Sequence, residues 1–306
     1  MKVLLTGGAG FIGSHVSDML VDRGYEVIVI DNLISGKKRN VTPNTIFYEC
    51  DIRDPTVKQI MKREKPEVVI HHAAQVSVRA SVEDPICDME VNIGGTLNLL
   101  KNSITSGVRK FIFASTGGAI YGEQSYFPAD ENHPRRPLSP YGITKLSCEK
   151  YLYFYERTYG LEYVCLRYSN VYGPRQDPYG EAGVVAIFFQ RMIAGEQPII
   201  NGSGEQTRDF VFVEDVARAN ILALEKDAPG EFNIGSGIET TVNDLFRETK
   251  RLSKSSAKEV HGEAKKGEQL RSVLDWSKAQ RALGWSPQVS LVDGLKRTLK
   301  FFKEED

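Results

Sequence analysis

The sequence predicts an α/β protein, with a doubly wound parallel sheet over residues 1–170 and a smaller C-terminal α+β lobe over 171–306. Three observations predict it. Short β-branched runs alternate with longer amphipathic stretches through the first half. Those runs are apolar almost throughout, the pattern of strands whose two faces are both covered by helices. Past about Asn170 the alternation breaks into loops rich in Gly and Pro, YGPRQDPYGEAG and INGSGEQTRD. The second part is expected to bind a substrate and to have an element available to return to the sheet.

Taken in order, KVLLTG is the first strand, and 12–23 is a helix because its apolar residues recur at three and four positions. EVIVID and TIFYECD follow as strands, then a helix over 55–64 and the strand EVVIHHAA. A helix over 86–106, the strand KFIFAST, a helix over 140–159 and the strand YVCLRYSN complete the first part. Shorter helices are expected over 184–194, 215–226, 242–253, 275–283 and 291–303. At 306 residues the chain is near the size at which one core stops growing.

Charge is balanced, 39 basic against 40 acidic residues with no long run of either sign, so no footprint for nucleic acid or an anionic membrane is present. No apolar run reaches the roughly 20 residues that span a bilayer. The first strand starts directly after Met1 with no signal-peptide pattern, and a cytoplasmic location is expected. Cys50, Cys87, Cys148 and Cys165 are widely spaced, which fits buried reduced thiols better than a zinc site or a disulfide framework, and no metal is expected. There is no internal repeat and no low-complexity segment.

TGGAGFIG, residues 6 to 13, sets Gly7, Gly10 and Gly13 where the first strand turns into the first helix. Glycines there permit a tight turn and close approach of a pyrophosphate to backbone N–H groups, and the helix N-terminus favours the anion. The strand–turn–helix context makes a dinucleotide site the stronger reading, with Phe11 and Ile12 as further contacts, against a plain tight turn. Asp31 ends the second strand, followed by Asn32. A carboxylate there accepts hydrogen bonds from the adenosine ribose and repels a 2′-phosphate, so NAD is expected rather than NADP. Lys37, Lys38 and Arg39 lie close by and are read as a solvated basic loop. Asp51 and Ile52 end the third strand, where adenine would be held, and Ala73, Ala74 and Gln75 follow the fourth. His71 and His72 are read as packed strand residues rather than catalysts.

SPYGITK, residues 139 to 145, places Tyr141 and Lys145 one helical turn apart on one face. A free phenol has a pKa of about 10, so acting as a base near neutrality requires a shift of about three units, or roughly 4 kcal/mol. One cation about 5 Å away in an effective dielectric of about 20 supplies roughly 3 kcal/mol. Lys145 together with a positive nicotinamide ring is expected to suffice.

These features together, with Asn92 in NIGGT, resemble the extended branch of the short-chain dehydrogenase/reductase superfamily, whose first domain is a Rossmann fold. RYSNVYGPRQ, GEQTRDFVFVEDVA and DWSKAQRALGW narrow the resemblance to nucleotide-sugar enzymes, most of all to the UDP-glucose 4-epimerase family, over nearly the whole chain. The resemblance implies that Tyr141 takes the proton of the sugar 4-hydroxyl while NAD accepts the hydride of carbon 4, and that the 4-keto sugar turns over and is reduced on its other face. It also implies that Lys145 tunes the base, that Asn92 stabilises a bend in its helix, and that Asn170 and Arg208 hold the UDP diphosphate.

Two departures from the family pattern stand out. The family's third catalytic group is a Ser or Thr set four residues before the tyrosine of a Tyr-Gly pair, but STGGAIYG carries one extra residue. Counting along the strand gives Thr116, which is preferred; counting back from Tyr121 gives Gly117, and Ser115 or a hydroxyl-free mechanism is the alternative. In AKKGEQLRS, Lys265 and Glu268 stand where the family often has Arg before Pro-Gly-Asp, and a lysine cannot reproduce a bidentate arginine contact. Ser272 falls where the family varies bulk beside the sugar 2-position, and its small size leaves room for an N-acetyl group. A 4-epimerase of UDP-N-acetylglucosamine or UDP-glucuronate and a non-enzymatic NAD-sensing protein are the alternatives; a 4,6-dehydratase is disfavoured because Gly117, Gly118 and Ala119 offer no carboxylate. By the resemblance, 86–106 and 141–158 pair with their copies in a homodimer, unless Tyr151, Phe154 and Tyr155 are intramolecular core.

Overall fold

A computed structural model of the chain describes residues 1–179, 183–264 and 269–305. The chain order begins β1 (Lys2–Thr6), α1 (Phe11–Asp22), β2 (Glu26–Asp31), β3 (Ile46–Glu49), α2 (Thr56–Glu64) and β4 (Val68–His71). There follow α3 (Val78–Glu83), α4 (Pro85–Met89), a π-helical turn over Glu90–Gly94, α5 (Gly95–Ser106), β5 (Lys110–Thr116), α6 (Gly117–Ile120), α7 (Pro140–Tyr159) and β6 (Glu162–Tyr168). The remainder comprises β7 (Asn170–Tyr172), α8 (Val184–Ile193), β8 (Ile200–Asn201), β9 (Thr207–Phe212), α9 (Val213–Glu225), β10 (Gly230–Ile234), β11 (Glu239–Thr241), α10 (Val242–Ser253), β12 (His261–Gly262), α11 (Ser277–Leu283) and α12 (Leu291–Glu305).

Seven parallel strands form the main sheet in the order β10-β6-β5-β4-β1-β2-β3. Its two faces bury separate cores. One collects Val3, Leu5, Val27 and Val29 against α1 and α9; the other collects Leu4, Ile28 and Ile30 against α2, α5 and α7. Each strand therefore buries alternate residues on both sides, which is why the strands read as continuous apolar runs. Strand order reverses between β1 and β4, and the crevice outside the carboxyl ends of those strands is where such sheets bind ligands.

The returning element is β10, which pairs with β6, and α9 covers the sheet beside α1. At Ser169 the chain leaves the main sheet, and Asn170 begins β7 in a second sheet of order β11-β9-β7. A third core of Phe188, Phe189, Phe246, Leu245, Leu295 and Phe302 holds α8, α10 and α12 together.

Several expectations change. β3 stops at Glu49, so Asp51 and Ile52 lie beyond its end rather than closing it. The single helix expected over 86–106 is interrupted by the π turn around Asn92. All four cysteines are free, but only Cys148 and Cys165 are buried; Cys50 is half-buried and Cys87 exposed. Tyr151 and Phe154 are exposed on α7, while Tyr155 packs partly against the core. Among the described residues, no helix is long and apolar enough to cross a membrane.

Candidate functional site

The turn from β1 into α1 is built for close backbone approach. A Cβ on Gly7, whose φ is +72°, would lie 2.6 Å from the Ala73 nitrogen, and one on Gly13 would lie 2.1 Å from the Gly7 carbonyl oxygen. Gly10 precedes α1 with no side-chain cap, so the first N–H groups of the helix face the turn. Such a cradle, lined with backbone donors at a helix N-terminus, fits the diphosphate of a dinucleotide.

Asp31, buried at the end of β2, braces this turn: Oδ2 accepts from Ala9 N at 3.0 Å and Oδ1 from Leu33 N at 2.9 Å. Beside it, Asn32 Nδ2 donates to Asp51 Oδ2 at 3.0 Å. The guanidinium of Arg53, bonded to both oxygens of Asp51, holds that carboxyl well below the usual carboxylate range. Ile52 is buried against Gly95, where a Cβ would lie 2.4 Å from its side chain. Lys38 Nζ sits 3.4 Å from the centroid of the Phe47 ring, turned to the sheet edge.

On the other side of the switch point, Ala73 N donates to Thr6 Oγ1 at 3.2 Å, and Ala74 leads into Gln75. Asn92 clamps Gln75 through two backbone bonds: Oδ1 accepts from Gln75 N at 2.9 Å, and Nδ2 donates to Gln75 O at 3.0 Å. Asn92 Nδ2 also reaches Asp88 Oδ1 at 3.0 Å. The extra residue of the π turn turns this amide inward from α4–α5, toward the backbone after β4.

Tyr141 and Lys145 occupy the first two turns of α7, which starts with Ser139 as N-cap and Pro140 at its first position. Ser81 Oγ accepts from Tyr141 N at 3.2 Å. Lys145 Nζ donates to the Ala114 carbonyl at 2.8 Å and lies 5.9 Å from the Tyr141 ring centroid. Burial brings the pKa of Lys145 down to about 8. Burial, with the charge of Asp88 second, raises the pKa of Tyr141 rather than lowering it. The lowering of the phenol is expected from Lys145 together with a positive nicotinamide ring, and the lysine ammonium by itself is turned toward Ala114.

Ser115 and Thr116, adjacent on β5, point to opposite sides. Ser115 Oγ donates to Glu149 Oε1 at 2.7 Å inside the core, whereas Thr116 Oγ1 accepts from Ala119 N at 3.2 Å at the strand's open end. Gly117 opens α6, and a Cβ on it would lie 2.5 Å from the Leu274 side chain. His71 is wedged between the hydroxyls of Thr6 and Thr96, and His72, with a pKa brought to about 3 chiefly by burial, contacts Tyr168 OH at 3.1 Å. His71 is a packed strand residue as expected, whereas His72 lies one residue past the end of β4 and is half-buried.

Asn170 pairs with Phe210 on β9, two residues beyond Arg208, so the two candidate diphosphate ligands sit on neighbouring strands of the second sheet. Arg208 Nη1 donates to Thr207 O at 2.8 Å. Ser272 is buried in a strap that runs from Gln269 to Asp275 beside the residues after β5, with Ala129 N bonded to Val273 O at 3.0 Å. Lys265 and Glu268 lie outside the described residues.

Two buried groups escaped the sequence reading. Asp209 accepts from Ser236 N, Gly237 N and Leu274 N, fixing the strap to the second sheet. Arg167 and Glu149 form a fully buried pair. A charged residue within the apolar strand YVCLRYSN is the signal that pointed to the second.

The family model described as "NAD dependent epimerase/dehydratase family" matches residues 3–235. A UDP-glucose 4-epimerase of Mycolicibacterium smegmatis is 40% identical over 311 residues, covering 100% of this chain and 99% of the relative. Among solved structures, UDP-glucose 4-epimerase from Thermotoga maritima with UDP-glucose has a TM-score of 0.98 and 54% identity, covering 100% of this chain and 99% of the other. UDP-glucose 4-epimerase from Thermus thermophilus in complex with NAD has a TM-score of 0.95 and 44% identity, covering 99% of each.

Proposed function

Because the chain belongs to the NAD dependent epimerase/dehydratase family, we propose that it interconverts UDP-galactose and UDP-glucose by NAD-dependent 4-epimerisation through a transient 4-keto sugar. What carries this reading is a glycine cradle at the β1–α1 turn and a Tyr141–Lys145 pair on α7, in a chain similar along its whole length to enzymes of that name.

Gly7, Gly10, Phe11, Ile12 and Gly13 would hold the cofactor diphosphate, Asp31 and Asn32 the adenosine ribose, Asp51 and Ile52 the adenine, and Ala73, Ala74 and Gln75 would border the nicotinamide half. Bound NAD supplies a reversible hydride acceptor and a positive ring. Tyr141 takes and returns the proton of the 4-hydroxyl, and Thr116 hydrogen-bonds the same oxygen. Lys145, held by Ala114 O, keeps a positive charge behind the phenol. Asn92 holds the backbone that frames the site. Asn170 and Arg208 would bind the UDP diphosphate, with Lys265 and Glu268 in the adjoining loop.

Ser272 favours a second substrate. Its side chain is small and buried in the strap, which supports tolerance of an N-acetyl group at the sugar 2-position and hence slow epimerisation of UDP-N-acetylglucosamine. A homodimer is the proposed assembly, supported by an apolar face of α7 carrying Ile143, Tyr151 and Phe154, which are 52%, 39% and 49% exposed.

The test is proton NMR of UDP-galactose incubated with purified protein, first without and then with added NAD, read at the anomeric signals. Appearance of UDP-glucose is the expected result. No conversion even with NAD overturns the sugar assignment and directs the assay to UDP-glucuronate and the N-acetyl sugars.

A further inference from the structure

A continuous buried polar chain joins α7, which carries Tyr141 and Lys145, to the strap that carries Ser272. Glu149, one turn after Lys145 on α7, accepts from Ser115 Oγ at 2.7 Å, from Arg167 Nε at 2.9 Å and from Arg167 Nη2 at 2.7 Å. Arg167 Nη1 donates to Tyr121 OH at 3.0 Å, and Tyr121 OH donates to Asn233 Oδ1 at 2.7 Å. Asn233 Nδ2 then donates to Ala129 O at 3.0 Å and to Asp275 O at 3.2 Å, at the end of the strap that carries Ser272. Leu274 of that strap lies on Gly117, the residue after Thr116.

Stability does not explain such a chain. A buried ion pair costs much of its Coulomb energy in desolvation, and apolar replacements of similar volume are often neutral or stabilising. What the chain does supply is register. Ser115 precedes Thr116 and follows Ala114, whose carbonyl holds Lys145, so Glu149 ties the end of β5 to the helix that carries Tyr141 and Lys145. Each link has one geometry, and the far end is bonded to the strap.

We propose that Glu149, Arg167 and Tyr121 are positioning residues that couple the strap beside the sugar to the alignment of Tyr141, Lys145 and Thr116. This inference rests on the epimerase reading. It assigns to buried residues that touch neither cofactor nor substrate a role in the rate of the chemical step rather than in binding.

The experiment compares wild type with Tyr121→Phe, which keeps the ring and removes the one hydroxyl joining Arg167 to Asn233, and with Glu149→Gln. The expected result is a fall in kcat for UDP-galactose of about tenfold with KM within about twofold, in protein still folded at the assay temperature. Hydrogen exchange with UDP as the probe gives a readout free of turnover. In wild type UDP slows exchange in both the strap and the first turns of α7, and in Tyr121→Phe in the strap alone. Variants that keep wild-type kcat while melting earlier overturn the proposal and leave a role in folding only. Wild-type protein in which UDP protects only the strap overturns the coupling and leaves the reaction standing. Protection of both segments without turnover of any UDP-hexose does the reverse.

Discussion

Lys145 shows how one side chain sets a cost against a function. Burial brings its pKa down to about 8 from the ordinary 10.5, so at neutral pH the fold holds a charge that the unfolded chain holds more easily. Between pH 8 and 10.5 the unfolded state binds more protons than the folded one, and stability therefore rises across that window. Lys145→Met removes the burden: it is expected to be more stable than wild type at pH 7, with the difference shrinking as pH climbs toward 10.5, measured by urea unfolding over about pH 7–10. The same substitution is expected to remove activity, because the phenol of Tyr141 is already raised by its own burial and by Asp88 and loses its only nearby ammonium among the described residues. Tyr141→Phe, which deletes the proton acceptor and little volume, is expected to lower kcat by about a thousandfold with UDP-galactose binding retained, measured by the NMR assay and by nucleotide titration. In wild type the rate is expected to fall above about pH 8 as Lys145 loses its proton.

At the scale of elements, the pieces legible in the sequence were those with a period. α7 and α10 have the bounds that their apolar spacing predicts, and in the fold Ser139 and Thr241 cap them. The π turn has no signal in the periodicity, and only the resemblance implies a bend at Asn92. It adds one residue to a helix whose residues on either side keep ordinary helical spacing, and only the contacts of Asn92 across the fold reveal why the turn is there. Counting along the strand favours Thr116, but an insertion shifts the count taken from Tyr121, and the hydroxyls of Ser115 and Thr116 face opposite sides of the strand. Asn92→Leu strands two backbone groups of Gln75 in a buried corner and removes one of the side-chain donors to the Asp88 carboxylate, which keeps Gln75 Nε2 and Thr144 Oγ1. It is expected to cost about 2–4 kcal/mol in urea unfolding, and to lower kcat further than that loss of folded protein explains.

Across the whole molecule, the long return of the chain is what the first 170 residues alone do not foretell. α9 reads as any amphipathic helix and GEFNI as any short strand. Their places beside α1 and β6 are set by the groove left open there, into which Ala217, Ala219 and Ala223 bring α9 close. The same geometry leaves the opposite layer, α4 to α5 and α7, with an uncovered stripe: Ile143, Tyr151 and Phe154 fall on one side of α7 at helical spacing, and Ile86 and Met89 are exposed on α4. A soluble monomer rarely leaves that much contiguous apolar surface in water. Because one two-fold axis suffices to cover a self-complementary face, the stripe is expected to close as a symmetric pair, with α7 of one subunit against its copy. Phe154→Glu places two like charges across such an axis. Light scattering after gel filtration is expected to give twice the chain mass for wild type and the chain mass for the variant; a wild-type monomer at micromolar concentration would sink the assignment. The first turns of α7 carry Tyr141 and Lys145, so the same measurement run beside the epimerase assay tells whether the pairing that buries one end of the helix also steadies the other.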